Sequence, residues 1–327
     1  MGIISRIYVK KFVCRYDKQI GVPYYSYTDF EGLHRDEFSF TNSKGIELKY
    51  FYFYYDNYKK DKIVLFLHGL DCGHVAYMAE INELAKRGYK VLTIDYTGCG
   101  DSKGKYLGSF FTPTRDVLEL LDKLSLKEEI VLVGHSLGGF TALNLINLKK
   151  EITKAVILAG FIKPELELNA IVKSKFLVRG ILRYEKKVGK ELHLLDNLDY
   201  LKTTKDNIFY IQSEDDGMIP YSTALMLAEE MNNPNIKTLK VSGRKHNPNY
   251  TDEAVQYMND VFANFNYKVK NKQIKTNEDR INYFKDVSLE KLVAQDQKML
   301  DEIAEFINKW YFGIVWFLFY WHGLFLC

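Results

Sequence analysis

Short apolar runs alternate with one-sided helical stretches over most of the chain. Two amphipathic segments, 38–42 and 46–54, flank a turn at Ser43-Lys44-Gly45 and predict a pair of strands. Residues 62–67 are continuously apolar after Lys62 and run into His68-Gly69, the pattern of a parallel strand buried on both faces. The spacing then predicts a helix over 76–87, a strand over 90–96, a helix over 114–124, a strand over 130–133, a helix over 140–148 and a strand over 154–158. After an interruption the alternation resumes with a strand over 207–212, a helix over 221–231, a strand over 236–241 and a helix over 252–265. Strand–helix alternation of this kind predicts an α/β fold: a mostly parallel, doubly wound sheet with helices on both faces.

Four segments depart from that rhythm. Residues 1–35 are tyrosine-rich and mixed, and read as an N-terminal arm laid over the domain. The interruption at about 161–205 holds apolar stretches (176–182 and 192–198) separated by lysines and arginines, and reads as a small helical cap inserted into the core of 36–266. Residues 267–309 read as a polar linker followed by a helix over 289–309, apolar on one side through Leu289, Leu292, Val293, Leu300, Ile303, Phe306 and Ile307, the mark of packing. The segment 310–327 carries all 3 tryptophans and no acidic residue, lysine or arginine. As a helix it would reach about 27 Å, just short of a hydrocarbon core of about 30 Å. A membrane anchor, a packing helix and a non-native end are the three readings, and its break in composition marks it as foreign to the main fold.

Composition narrows the class. An apolar fraction of 47% with 27% charged residues suits a folded globular protein and excludes disorder over most of the length. A net charge of +3, with no basic stripe carrying interleaved aromatics, gives nucleic acid no electrostatic footprint. The four cysteines, Cys14, Cys72, Cys99 and Cys327, have no CxxC or metal-ligand spacing and read as reduced thiols of a cytoplasmic protein. Arg6, Lys10 and Lys11 precede no long apolar run, so no signal peptide is expected.

The chemistry is carried by Gly134-His135-Ser136-Leu137-Gly138, placed between a strand and a helix. A sharp turn there pushes the Ser136 hydroxyl outward, and small residues two positions away on each side let strand and helix approach. The helix N-terminus beyond it aims N–H groups at the same spot. A serine nucleophile needs an imidazole to take its proton and a carboxylate to orient that imidazole. His246, in Gly243-Arg244-Lys245-His246, follows one strand; Asp216, four residues before Pro220, follows another. Glu214 and Asp215 compete with Asp216 for the acid, and His68, His74 and His135 compete with His246 for the base. The glycines of Gly98-Cys99-Gly100 and Gly104 miss both the dinucleotide and the P-loop spacing and read as a tight turn.

His68-Gly69, the stretch Asp95-Tyr96-Thr97-Gly98-Cys99-Gly100-Asp101-Ser102, the serine turn, Asp216 before Pro220 and Gly243-Arg244-Lys245-His246 stand in the order seen in α/β-hydrolases. Over about 36–266 the chain resembles the monoacylglycerol-lipase and serine-aminopeptidase-like branch of that superfamily, with Ser213 where many of its members carry glycine. The resemblance implies Ser136 as nucleophile, His246 as general base and Asp216 as its orienting acid. It also implies an oxyanion hole from the backbone N–H groups of Leu70 and Leu137, with no cofactor and no metal. The expected partner is a small-molecule ester. A peptidase using Glu165, Glu167 or Glu185 of the cap to hold a peptide terminus is the alternative, and a non-catalytic binding protein on the same fold is the other.

Overall fold

In the computed structural model, which describes residues 2–309, eight strands form one sheet in the order β1-β2-β4-β3-β5-β6-β7-β8. They are β1 (His34–Thr41), β2 (Glu47–Tyr54), β3 (Lys62–Leu67), β4 (Lys90–Ile94), β5 (Glu129–His135), β6 (Lys154–Leu158), β7 (Asn207–Ser213) and β8 (Ile236–Val241). β1 and β2 pair antiparallel, β2 joins β4 antiparallel, and every pairing from β4 to β8 is parallel. The mostly parallel α/β sheet expected from the alternation is the architecture observed, and it is the one the α/β-hydrolase resemblance implies.

The helices are α1 (Ile3–Lys11), α2 (Met78–Lys86), α3 (Thr112–Leu124), α4 (Leu137–Leu148), α5 (Pro164–Ile171), α6 (Lys175–Gly189), α7 (Asn197–Thr203), α8 (Leu225–Glu230), α9 (Asp252–Lys270), α10 (Asn277–Phe284), α11 (Leu289–Leu292) and α12 (Gln297–Asn308). Alternate residues of the buried strands serve opposite layers. In β3, Ile63, Leu65 and Leu67 pack with residues of α3 and α4, whereas Val64 and Phe66 pack with α2 and α12.

Outside the alternating core the chain folds in three further parts, and one of them departs from expectation. The arm is partly helical. It begins with α1, which Tyr8 pins to α6 through a 2.6 Å hydrogen bond to buried Glu185. The helix expected over 289–309 is broken into α11 and α12. The Asp296 side chain caps α12 by accepting from Met299 N–H, and a bridge between Tyr250 and Gln295 draws the chain out between the two pieces. The insertion between β6 and β7 folds as α5, α6 and α7 with a 3-10 turn. The segment 310–327 lies outside the described residues, as does Cys327. Among the described residues no helix is long and apolar enough to cross a membrane.

Strand register positions the chemistry. Leu67 at the end of β3 lies opposite Gly134 of β5, so His68-Gly69 and the serine turn leave the sheet side by side. Ser213 of β7 lies opposite Val241 of β8, which puts the Asp216 turn beside the His246 loop.

Candidate active site

Ser136 joins β5 to α4 with φ +56° and ψ −118°, a backbone conformation that non-glycine residues avoid. Its N–H is fixed by the Leu158 carbonyl of β6 at 2.9 Å. The flanking glycines are sterically required: a Cβ at Gly138 would run into the Leu67 carbonyl, and one at Gly134 into the backbone of Gly138.

Asp216 is buried, and its two oxygens are divided between two jobs. Oδ1 accepts the N–H groups of Met218 and Ile219 at 2.8 and 2.9 Å, which locks the turn. Oδ2 receives the His246 ring, with Nδ1 at 2.9 Å. A proton on Nδ1 leaves Nε2 of that ring as an acceptor. The neighbouring acids point elsewhere. Glu214 pairs with Lys240 at 3.5 Å. Asp215 accepts from the Ser213 hydroxyl, from the N–H groups of Gly243 and Lys245, and from the Lys245 ammonium at 3.2 Å. Ser213, where glycine was the commoner expectation, also accepts from Arg244 N–H at 3.1 Å. The departure therefore ties the Asp216 turn to the His246 loop. Arg244 anchors the far side of that loop to Asp252, Asp296 and the Tyr250 carbonyl.

Of the competing imidazoles, His68 is fully buried and held neutral. Its Nδ1–H donates to the Gly69 carbonyl at 2.7 Å and its Nε2 accepts from Tyr96 N–H at 3.3 Å, while burial lowers its pKa to about 4. His74 donates to Asp95, which also accepts the N–H groups of His74 and Asp101. His74, Asp95 and Asp101 bring ligand atoms within 4.8 Å of one another. Asp95 is already committed to these donors, so the cluster fastens the Gly98-Cys99-Gly100 turn.

His135 forms a directed chain that the sequence does not announce. Its Nε2 lies 2.7 Å from the His246 carbonyl and must be the donor there. Its Nδ1 is then the acceptor of the Tyr77 hydroxyl at 2.9 Å, and that hydroxyl accepts Gly69 N–H at 3.0 Å. The polarity runs unbroken from Gly69 through Tyr77 and His135 to the backbone of His246. Burial, with the His246 ring beside it, lowers the His135 pKa to about 3, so the ring stays neutral. Gly69 N–H is thereby consumed, whereas the N–H groups of Leu70 and Leu137 meet no acceptor among the described residues.

Ser136, His246, His135 and Leu70 line one cavity of about 350 Å³. The Ser136 hydroxyl has no hydrogen-bond partner among the described residues. Glu165, Glu167 and Glu185 do not line this cavity. Glu185 is buried against Tyr8, Ser109 and Phe110 N–H, and Glu165 lies 3.8 Å from His193. Glu167 is buried with Thr223 as a distant donor.

Comparison with known proteins agrees with this architecture. The profile of the serine aminopeptidase, S33, hydrolase family matches residues 58–233, more than half of the chain. The chain belongs to that α/β-hydrolase family. The match includes Ser136 and Asp216 and ends before His246. Curated relatives include the salicylic acid-binding protein 2 of Nicotiana tabacum, 29% identical over 36% of this chain and 46% of that protein. Another is a mouse sn-1-specific diacylglycerol lipase, 33% identical over 29% of this chain and 31% of the lipase. The hydrolase thus spans less than half the length of these relatives. In fold it is similar to a Pyrococcus furiosus esterase, at 20% identity and TM-score 0.54 over 79% of this chain and 96% of the esterase. It is likewise similar to Est1E of Butyrivibrio proteoclasticus, solved with ferulic acid, at 18% identity and TM-score 0.54 over 71% of this chain and 98% of that one.

Proposed function

We propose that this hydrolase cleaves carboxylic esters of small molecules through an acyl-Ser136 intermediate, with His246 as base and Asp216 as its orienting carboxylate. The observation that carries the reading is the 2.9 Å contact between His246 Nδ1 and Asp216 Oδ2, on a ring lining the same cavity as a serine at φ +56°. His246 Nε2 takes the Ser136 proton as Oγ bonds to the carbonyl carbon. The same proton passes to the departing alcohol as the C–O bond breaks. Water then attacks the acyl-enzyme, giving a proton to His246, and the acid leaves as Oγ recovers a proton. The N–H groups of Leu70 and Leu137 would hold the oxyanion; loss of one such donor costs about 3 kcal/mol in related chemistry. Relatives described as an esterase and a diacylglycerol lipase favour esters.

A serine peptidase is the second reading, favoured by the family's own description. Glu165, Glu167 and Glu185 do not line the cavity, and among the described residues Asp71 is the one acid that does. In the same proposal 1–35 is the arm, 36–266 the hydrolase core with a cap at about 161–205, and 267–309 the C-terminal helical part. A cytoplasmic location is supported by Cys14, Cys72 and Cys99 being free.

A fluorophosphonate probe tests the nucleophile. Stoichiometric labelling of the full chain that disappears in Ser136→Ala is expected, with kcat falling by about 10³–10⁶-fold. A well-folded wild-type protein that takes no label would favour a binding protein over an enzyme.

A further inference from the structure

Both ends of the chain join residues within 70–79 and Met218 in lining the cavity that holds Ser136 and His246. None of residues 161–205 lines it. Val22 and Tyr24 of the arm line it, and so do Met258 and Phe262 of α9 with Leu292 and Val293 at the end of α11. These two parts of the chain are packed on each other. Val22 joins the apolar cluster of Val261, Phe284 and Leu292, and the backbone at Gly21 lies so close to Arg280 and Ile281 that a Cβ there would be 2.8 Å from the Arg280 backbone. The cavity wall is therefore a built and braced surface.

Among the described residues its lining holds no lysine or arginine and one carboxylate, Asp71, which burial pushes above the usual range. A substrate carboxylate would find no counter-charge there, whereas an apolar group would meet methyl, thioether and ring surface. About 350 Å³ lies at the small end of ligand pockets, roughly 300–1,000 Å³.

We infer that the arm, α9 and α11, outside the family-matched span of 58–233, supply the acyl-chain wall of this hydrolase's cavity and select a neutral, apolar acyl group of moderate length. This rests on Ser136 being the nucleophile. The acyl group stays on Ser136 through both half-reactions while the alcohol departs after the first, so an apolar wall beside Ser136 acts on the acyl part throughout. The insertion, by contrast, contributes side chains to a separate and more polar recess with Lys163, Glu165 and Asp196.

The test is the chain-length profile of the full-length protein, read as labelling rates with alkyl fluorophosphonates and as kcat/KM on p-nitrophenyl acyl esters, both from short to long chains. Val293→Phe fills the pocket and is expected to lower the long-to-short ratio by about tenfold or more. Phe262→Ala opens it and is expected to move the ratio the other way, so a general folding defect cannot mimic both. Phe176→Ala and Leu194→Ala on the exposed surface of the insertion should leave the profile unchanged. Labelling with an unaltered profile in both pocket variants would overturn the pocket while leaving Ser136 as nucleophile. So would a profile that shifts with the insertion variants, or one that follows the alcohol of a graded alkyl acetate series. No labelling of the wild type by any probe would remove the nucleophile, and the pocket assignment with it.

Discussion

His135 donates to the His246 carbonyl and accepts from Tyr77, which in turn holds Gly69 N–H. The ring that lies nearest the serine in sequence thus braces the loop bearing the proposed base against the turn bearing the proposed oxyanion donor Leu70. Its lowered pKa keeps the donor and acceptor ends fixed across the working pH range. Tyr77→Phe removes the middle hydroxyl with little change of volume. Its kcat on a soluble ester is expected to fall by about 10²-fold with KM nearly constant, because geometry at the reacting carbon is lost while apolar binding is kept. His135→Phe should fall similarly and the double variant little further, since all three break one chain. Near-additive losses would mean that the two side chains act separately. At this scale the serine was legible because its signal is local: glycine spacing, strand before, helix after. The acid was harder, because only the spacing to Pro220 separates Asp216 from Glu214 and Asp215 before β7 and β8 are in register. Ser213 could be read only as a departure, since its partner Arg244 lies in a loop that no local pattern connects to it.

At the scale of elements, α12 shows how far one-sided periodicity can be trusted. Its apolar stripe was legible, and the stripe packs where a sheet face needs cover: Ile303, Phe306 and Ile307 join Val131, Val133 and Phe209 in one cluster. Its start was not legible, because Asp296 caps it only once Asn249 has taken Asp296 N–H at 2.8 Å. At its other end the Ile307 carbonyl accepts the ammonium groups of Lys62 and Lys154 at 2.9 and 3.2 Å, cations placed at a helix C-terminus. The helix is thus a structural layer of the hydrolase, despite lying well past residue 233 where the family match ends. Ile303→Ala, at a fully buried contact, is expected to lower stability by about 2–5 kcal/mol. Chemical denaturation with an unchanged m-value would check it. A loss below 1 kcal/mol would mean that α12 is only loosely seated.

Across the whole molecule, buried acids set the response to pH. Burial raises Glu80 and Glu185 to about 7 and Asp116 to about 6. Burial, with the charge of Asp216 nearby, raises Glu167 to about 8. Each of these groups keeps its proton in the folded chain at pH values where the unfolded chain has lost it. Their contribution is fully present below the unfolded pKa of about 4.3–4.5 for Glu, and is lost as pH rises through the folded values. His68 and His135 act in the opposite direction, since their lowered pKa values make folding less favourable in acid. Their effect is complete once pH passes the unfolded histidine value of about 6.5. The two groups oppose each other below that point, and only the carboxyls remain above it. The melting temperature is therefore expected to decline between pH 6.5 and 9. Glu167 titrates last and its Oε1 has no hydrogen-bond partner among the described residues, so Glu167→Gln should flatten the upper part of that decline by a few degrees. Calorimetry of both proteins across that range decides it, and parallel curves would show that Glu167 is ionised in the folded state throughout. No periodicity or motif could have shown this, because Glu167 meets Asp216 and Thr223 only after the insertion has folded back on the sheet.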